Sequence, residues 1–509
     1  MRNLIVCCDG TWNTPDQTDE GVPVPTNVVR LFNAVADKDD EGGDQLKYYH
    51  PGVGSEGNWW EKVAGGGVGL GLTKNVLSAY KWIGVNYQEN DRIFLFGFSR
   101  GAYTVRSVAG MIASVGLLDL SELPDNELWK RVATAQKRGY RKRAERKKWA
   151  KDWAFHGAGP NRVTKVFFVG VWDTVGALGV PNNMGILNLL DNVDNFSFHD
   201  TKLNKHILNA RHAVAMDEDR ASFAPTLWNG VARRKTVKQI WFPGAHSDVG
   251  GGYKEIGLAD GALKWMIDEA QDLGLTFNQN IYKQIKPNHH DALHDSNTGF
   301  YKHLTSQPRP VPMLTPSNAA VLHQSVLKRI ADPPIAQAPY HQTVELKPGE
   351  FRDLPVYAID PWGKTEIYLE RGARYLFTAS GQWMDRSIKC GPGGADDGKF
   401  YIEEIFYLAG SILGKFEGLF KKISKNEEAD FKGTRREEDK PWFALVGAIA
   451  NGGLPDADGK SSFHETFLIG EGCERRVSKP GYLYCFANDA WNFYGNNRGQ
   501  VMLRVKRLK

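Results

Sequence analysis

From residue 1 to about 275, short apolar runs alternate with longer segments of helical period. The runs are Leu4–Cys8, Arg92–Gly97, Lys165–Trp172 and Gln239–Phe242, and the helical segments include Tyr103–Leu117 and Leu258–Gly274. Such alternation predicts an α/β architecture, a mostly parallel sheet flanked by helices. Sheets of this kind present chemistry at the carboxyl ends of their strands, so Asp9, Ser99, Asp173 and His246 are the residues to weigh. The run Gly65–Gly71 reads as a turned loop, because no Gly-Lys-Ser/Thr follows it to complete a phosphate-binding loop.

The pattern changes further on. Arg329 to His341 carries three prolines and little periodicity, which predicts an extended linker. Beyond it, Thr365–Leu369, Arg374–Ser380, Trp442–Ile449, Tyr482–Ala487 and Gln500–Val505 are β-like runs separated by Gly, Asp and Asn turns. The expected organisation is an α/β domain over 1–328, a linker over 329–341 and an all-β sandwich over 342–509, interrupted by an insertion at about 396–440. Within that insertion, Tyr401–Lys425 carries a helical apolar stripe that includes Ile405, Phe406, Ile412, Leu413, Phe416 and Phe420. Three readings stay open for it: insertion at a membrane interface, a lid across the catalytic pocket, and core packing.

The net charge of +5 on 509 residues excludes a globally basic nucleic-acid binder. Basicity is local: Lys130–Lys151 carries +10, which leaves the rest of the chain at −5. A solvated helix face and attraction to anionic headgroups both fit that window. The five cysteines lack the paired spacing of structural zinc and read as buried thiols in a reducing compartment. The apolar run at the start is too short for a signal-peptide core, and no uncharged apolar stretch reaches transmembrane length.

Candidate chemistry begins at Gly97-Phe-Ser99-Arg-Gly101, a Gly-x-Ser-x-Gly set between a strand and a helix, which is the context of a nucleophile elbow. A serine hydroxyl needs a histidine to accept its proton and a carboxylate to orient that histidine. His246, after a strand and within a glycine-rich loop, is the candidate base; His212 is assigned to a helix and a structural role. Asp173, at the end of Lys165–Trp172, is the candidate acid, with Asp248 as its competitor. Backbone N–H groups of Gly10, Thr11 and Arg100 are the candidate oxyanion donors.

These residues resemble a known family. Cys8-Asp-Gly-Thr-Trp-Asn13, Leu95–Tyr103, Val171–Val175, His212–Trp228 and Pro243–Tyr253 are similar to motifs of the α/β-hydrolase family that includes the phospholipase effectors of bacterial type VI secretion. The resemblance implies a Ser99–Asp173–His246 triad that hydrolyses lipid esters, phospholipid foremost, and needs no cofactor for catalysis. It further implies a secretion-apparatus or immunity-protein partner, and export from the producer's cytoplasm to target-cell membranes.

A second resemblance links Tyr484–Gly499, Ala379–Asp385 and Gly391–Gly393 to the calcium-dependent galactose lectins of PA-IL type. It implies Ca²⁺ held by Asp489, Asn496 and Asn497, with main-chain oxygens from Asp385 and Phe493, and a carbohydrate ligand. A carbohydrate esterase targeted by the lectin-like domain, or a non-catalytic adhesin, are the alternatives it raises.

Overall fold

The computed structural model describes residues 1–10, 16–19, 21–52, 67–142, 144, 146–157, 164–176, 203–230, 234–298, 305–395, 436–452, 463–491 and 493–509. Six strands, β1 (Asn3–Cys8), β2 (Gln45–His50), β3 (Arg92–Phe98), β4 (Val166–Trp172), β5 (Ile207–Ala215) and β6 (Val237–Phe242), form a parallel sheet in the order β2-β1-β3-β4-β5-β6. Alternate side chains of each central strand enter opposite layers, as strand geometry requires. Leu4, Val6, Ile93 and Leu95 meet α2 (Gly67–Asn86) and α3 (Arg100–Val115) on one face. Ile5, Cys7, Phe94 and Phe96 meet α1 (Asn27–Ala34) and, further along, a helix at Gly257–Gln271 on the other.

Two elements differ from expectation. Ile207–Ala215 is a strand, so His212 is not helical; its polar Asn209, Arg211 and His212 blur the strand period, but each finds a partner inside the sheet layers. Asn209 donates to the Phe167 carbonyl at 3.0 Å, and Arg211 pairs with Glu269 at 2.6 Å. The glycine run is not a loop throughout, because Gly67 already opens the 20-residue α2.

The C-terminal sheets are antiparallel. One holds β8 (Gly363–Leu369), β14 (Gly481–Ala487), β11 (Leu445–Ile449) and β12 (Glu465–Leu468) in that order. The other runs β10 (Ile388–Cys390), β9 (Arg374–Asp385), β15 (Asn497–Arg507) and β7 (Phe351–Tyr357), with β13 (Gly472–Arg476) also on β9. Tyr375, Phe377, Trp383, Leu483, Val501 and Leu503 fill the space between them. The insertion stripe, with Ile405, Phe406, Ile412, Leu413, Phe416 and Phe420, lies outside the described residues.

The stretch read as an extended linker is packed instead. A helix, Gln324–Ala331, runs into it, and Arg329 is fully buried, donating to the carbonyls of His289 and Asp291. Tyr340 is buried too and donates to Asp217 at 2.7 Å. An apolar seam joins the two halves: Val214, Trp241, Val311, Leu314 and Val326 pack in one cluster with Val446, Tyr482, Tyr484 and Phe486. Prolines here fix turns between packed residues rather than spacing the halves apart.

Candidate active site

Strand register brings the chemistry together. Cys8 pairs with Gly97, and Phe98 with Trp172, so Asp9, Ser99 and Asp173 leave the sheet at one edge. Ser99 has φ 56° and ψ −123°, the left-handed region that strains a non-glycine residue, and the Ser99 N–H donates to the Trp172 carbonyl at 3.1 Å. The flanking glycines are steric necessities. A Cβ on Gly101 would come 2.0 Å from the Cys8 carbonyl oxygen, and one on Gly97 would come 2.5 Å from that of Gly101.

Asp173, also at positive φ (36°), is fully buried and accepts four hydrogen bonds. His246 Nδ1 and Arg309 Nη2 reach Oδ2 at 2.6 and 2.9 Å; Arg309 Nη1 and the Ala215 N–H reach Oδ1 at 2.6 and 3.0 Å. Burial resists its ionisation, but the Arg309 guanidinium and His246 outweigh that and hold the carboxyl well below its usual range. His246 opens a short helix, His246–Gly250, between the rings of Phe98 at 4.5 Å and Phe223 at 5.0 Å. Burial pushes its imidazole down, against the pull of Asp173, and so favours the neutral form a base requires. Gly250 keeps Phe98 in place, since a Cβ there would lie 2.0 Å from that ring.

The competitors have other work. Asp248 accepts from the Ala245 and His294 N–H groups and from the His294 ring at 2.6 Å, which ties the glycine-rich loop. His212 Nε2 accepts from the Thr174 N–H at 3.1 Å and steadies the turn after Asp173; burial lowers it to about 3, so it stays neutral. Of the oxyanion candidates, Gly10 donates its N–H to the carboxylate of Asp9 at 2.7 Å, Thr11 lies outside the described residues, and Arg100 begins α3 directly after Ser99.

Sequence reasoning did not find Arg309, nor Glu218, which accepts from the His246 N–H at 3.2 Å and pairs with Arg220 at 2.7 Å. Arg309 is 136 residues from Asp173. The one local signal is Pro308-Arg-Pro310, where two prolines hold a charged side chain on a stiff extended backbone.

In the β half, Asp385 is opposite Asn497 in the ladder, and Asp489 accepts from Asn497 Nδ2 at 2.8 Å. Asp385, Asp489 and Asn497 are buried. The amide oxygens of Asn496 and Asn497 are also buried and, among the described residues, have no hydrogen-bond partner. Burial, with Asp385 nearby, raises the Asp489 carboxyl to about 7. The Phe493 carbonyl accepts from the Asn496 N–H at 3.2 Å. Carboxylate and amide oxygens of these kinds are the ligands a hard cation takes.

A family model described as the type VI secretion (T6SS) phospholipase effector Tle1-like catalytic domain matches residues 2–269. An uncharacterized protein of Saccharomyces cerevisiae is 28% identical over 245 residues, covering 44% of this chain and 32% of that protein. Among solved structures, the Tle1 effector bound to the VgrG spike of the type VI secretion system is 19% identical, with 50% of this chain and 52% of that one covered and a TM-score of 0.31. The EclA N-terminal domain, a PllA-like lectin, is 18% identical, with 30% of this chain and 94% of that one covered and a TM-score of 0.19. The chain thus spans about a third of the yeast relative and about half of the effector structure.

Proposed function

The chain belongs to the Tle1-like family of type VI secretion phospholipase effectors through residues 2–269, and from that premise we propose that it is a serine hydrolase cleaving the carboxylic ester bonds of phospholipids. The observation that carries the reading is the buried Asp173–His246 pair at 2.6 Å, at the sheet edge where the Ser99 elbow emerges. Asp173 holds the Nδ1–H of His246, which leaves Nε2 to take the proton from Ser99 Oγ. The alkoxide attacks the acyl carbon, His246 returns the proton to the departing alcohol, and water then releases the acyl group from Ser99 by the reverse steps. The backbone N–H of Arg100 is the proposed donor to the developing oxyanion. Fatty acid and lysophospholipid are the expected products, as for a phospholipase A. A secretion-apparatus component and an immunity protein are the proposed partners.

Covalent trapping tests the nucleophile. An alkyl fluorophosphonate should add one phosphonyl mass to the wild-type chain, located at Ser99, and none to Ser99→Ala. An adduct on the Ser99→Ala chain would place the nucleophile elsewhere.

For the β half we infer a Ca²⁺ site formed by Asp385, Asp489, Asn496 and Asn497, supported by the buried acids and the partnerless amide oxygens. Bound there, the ion would neutralise two buried carboxylates and satisfy both amides. Ester hydrolysis by an activated serine does not require it.

A further inference from the structure

We propose that Arg309 is a positioning residue for the Asp173–His246 pair and that the C-terminal β sheets hold it in place, so that the half of the chain without triad residues sets the triad's geometry. This rests on the serine-hydrolase reading above.

One guanidinium touches the acid that orients the base and two backbone carbonyls beside it. Arg309 donates to both oxygens of Asp173 and to the carbonyls of Ala215 and Phe223, at 2.6 to 2.9 Å. Ala215 is the residue whose N–H holds Asp173 Oδ1, and the Phe223 ring stands edge-on to His246 at 5.0 Å. A planar fork can hold a carboxylate by two parallel bonds, which a lysine ammonium cannot.

Arg309 is carried by the segment Thr305–Leu314, which runs between residues 220–223 and the β sheets. On the catalytic side, Ser306 bridges to Arg220, and the Ala221 N–H donates to the Thr305 carbonyl at 3.2 Å. On the other side three β-half residues grip its backbone. Trp362 Nε1 donates to the Ser306 carbonyl at 3.0 Å, the Tyr482 hydroxyl accepts from the Leu314 N–H at 2.8 Å, and His464 Nε2 lies 2.7 Å from the Pro308 carbonyl. His464 is buried, and its Nδ1 accepts from the Gly452 N–H at 3.0 Å, so Nε2 carries the hydrogen and donates to Pro308. Prolines at 308, 310 and 312 offer no N–H groups of their own, so these outside contacts fix the segment's course.

The test follows hydrolysis of a soluble short-chain ester by the full-length chain across pH. In Arg309→Ala, kcat should fall about 10–100-fold with KM within about twofold, as expected for loss of an orienting group. The acid limb of the profile should move to higher pH. Of the charged groups facing His246, Asp173, Glu218 and Arg220 are retained, while the cation that drew on Asp173 is gone. Added guanidinium should restore part of the rate, and Arg309→Lys should not restore it fully. His464→Phe and Trp362→Phe, which alter only the grip on the segment's backbone, should shift kcat and the acid limb in the same direction by less; they decide the matter if Arg309→Ala does not fold. A folded Arg309→Ala protein with parental kcat and acid limb would overturn the positioning role. Parental behaviour in folded His464→Phe and Trp362→Phe would overturn the link to the β sheets. Ser99→Ala hydrolysing at the parental rate would instead remove the serine-hydrolase reading itself.

Discussion

Ser99 and Asp173 both sit at positive φ, and each is held there by backbone bonds to the neighbouring strand: Ser99 N–H to Trp172, Asp173 N–H to Ala213 at 2.8 Å. Strain of that kind persists only where the surroundings impose it. Replacing Ser99 or His246 by Ala should reduce ester hydrolysis by about 10⁴-fold or more, and Asp173→Asn by somewhat less, because only the first two make and break bonds. Steady-state rates on folded variants, checked by circular dichroism, decide this. The pH dependence has a definite sign. His246 must be neutral to act and burial lowers its pKa, so kcat/KM should hold to below the ordinary histidine value of about 6.5 and then fall on further acidification. Asp173, depressed by Arg309, remains ionised through that window. A pH–rate profile whose acid limb lies above the ordinary value would contradict the burial argument. The gathering of Ser99, Asp173 and His246 at one sheet edge was legible because each follows an apolar strand run. Arg309 and Glu218 were not, since their meaning comes from tertiary contact and no periodicity marks it.

Among the elements, the runs with clean alternation or an unbroken apolar core were read from sequence to within a few residues. Arg92–Phe98 and Gly481–Ala487 are examples. Ile207–Ala215 was not, because charged and polar residues inside a buried strand mimic a helix surface until Glu269 and the Phe167 carbonyl are seen to pair with them. The proline-rich stretch misled in the opposite sense: a buried arginine and tyrosine turn it into a packed joint. The loop before β15 carries its own prediction. Calorimetry of the full chain should show a higher-melting β half with Ca²⁺ and its loss on chelation; saturation at 100 times Kd contributes about 2.7 kcal/mol. Turnover of a soluble short ester should survive the chelator. A melting curve indifferent to calcium would leave the Asn496 and Asn497 oxygens without the ion proposed for them.

For the molecule as a whole, the question is how the site would reach the proposed phospholipid substrate. Among the described residues no helix is long and apolar enough to cross a membrane. Two segments are proposed to supply adhesion: Tyr401–Lys425, for the apolar stripe in its sequence, and the basic window, in which Lys137, Arg138, Lys142, Lys148 and Lys151 are exposed. Binding to anionic vesicles should then exceed binding to neutral ones and weaken with salt, whose screening length is about 8 Å at physiological strength. It should drop when Phe416 and Phe420 become Ser, with soluble-ester turnover intact. A folded double mutant that still floats with vesicles would assign the stripe to packing. The central claim is tested most directly by mass spectrometry of products from defined phospholipid vesicles and, in parallel, from acetylated glycans. Wild-type protein should release fatty acid and lysophospholipid from the vesicles, and Ser99→Ala should release neither. Acetate from the glycans with the phospholipids untouched, or parental lipid hydrolysis by Ser99→Ala, would contradict it.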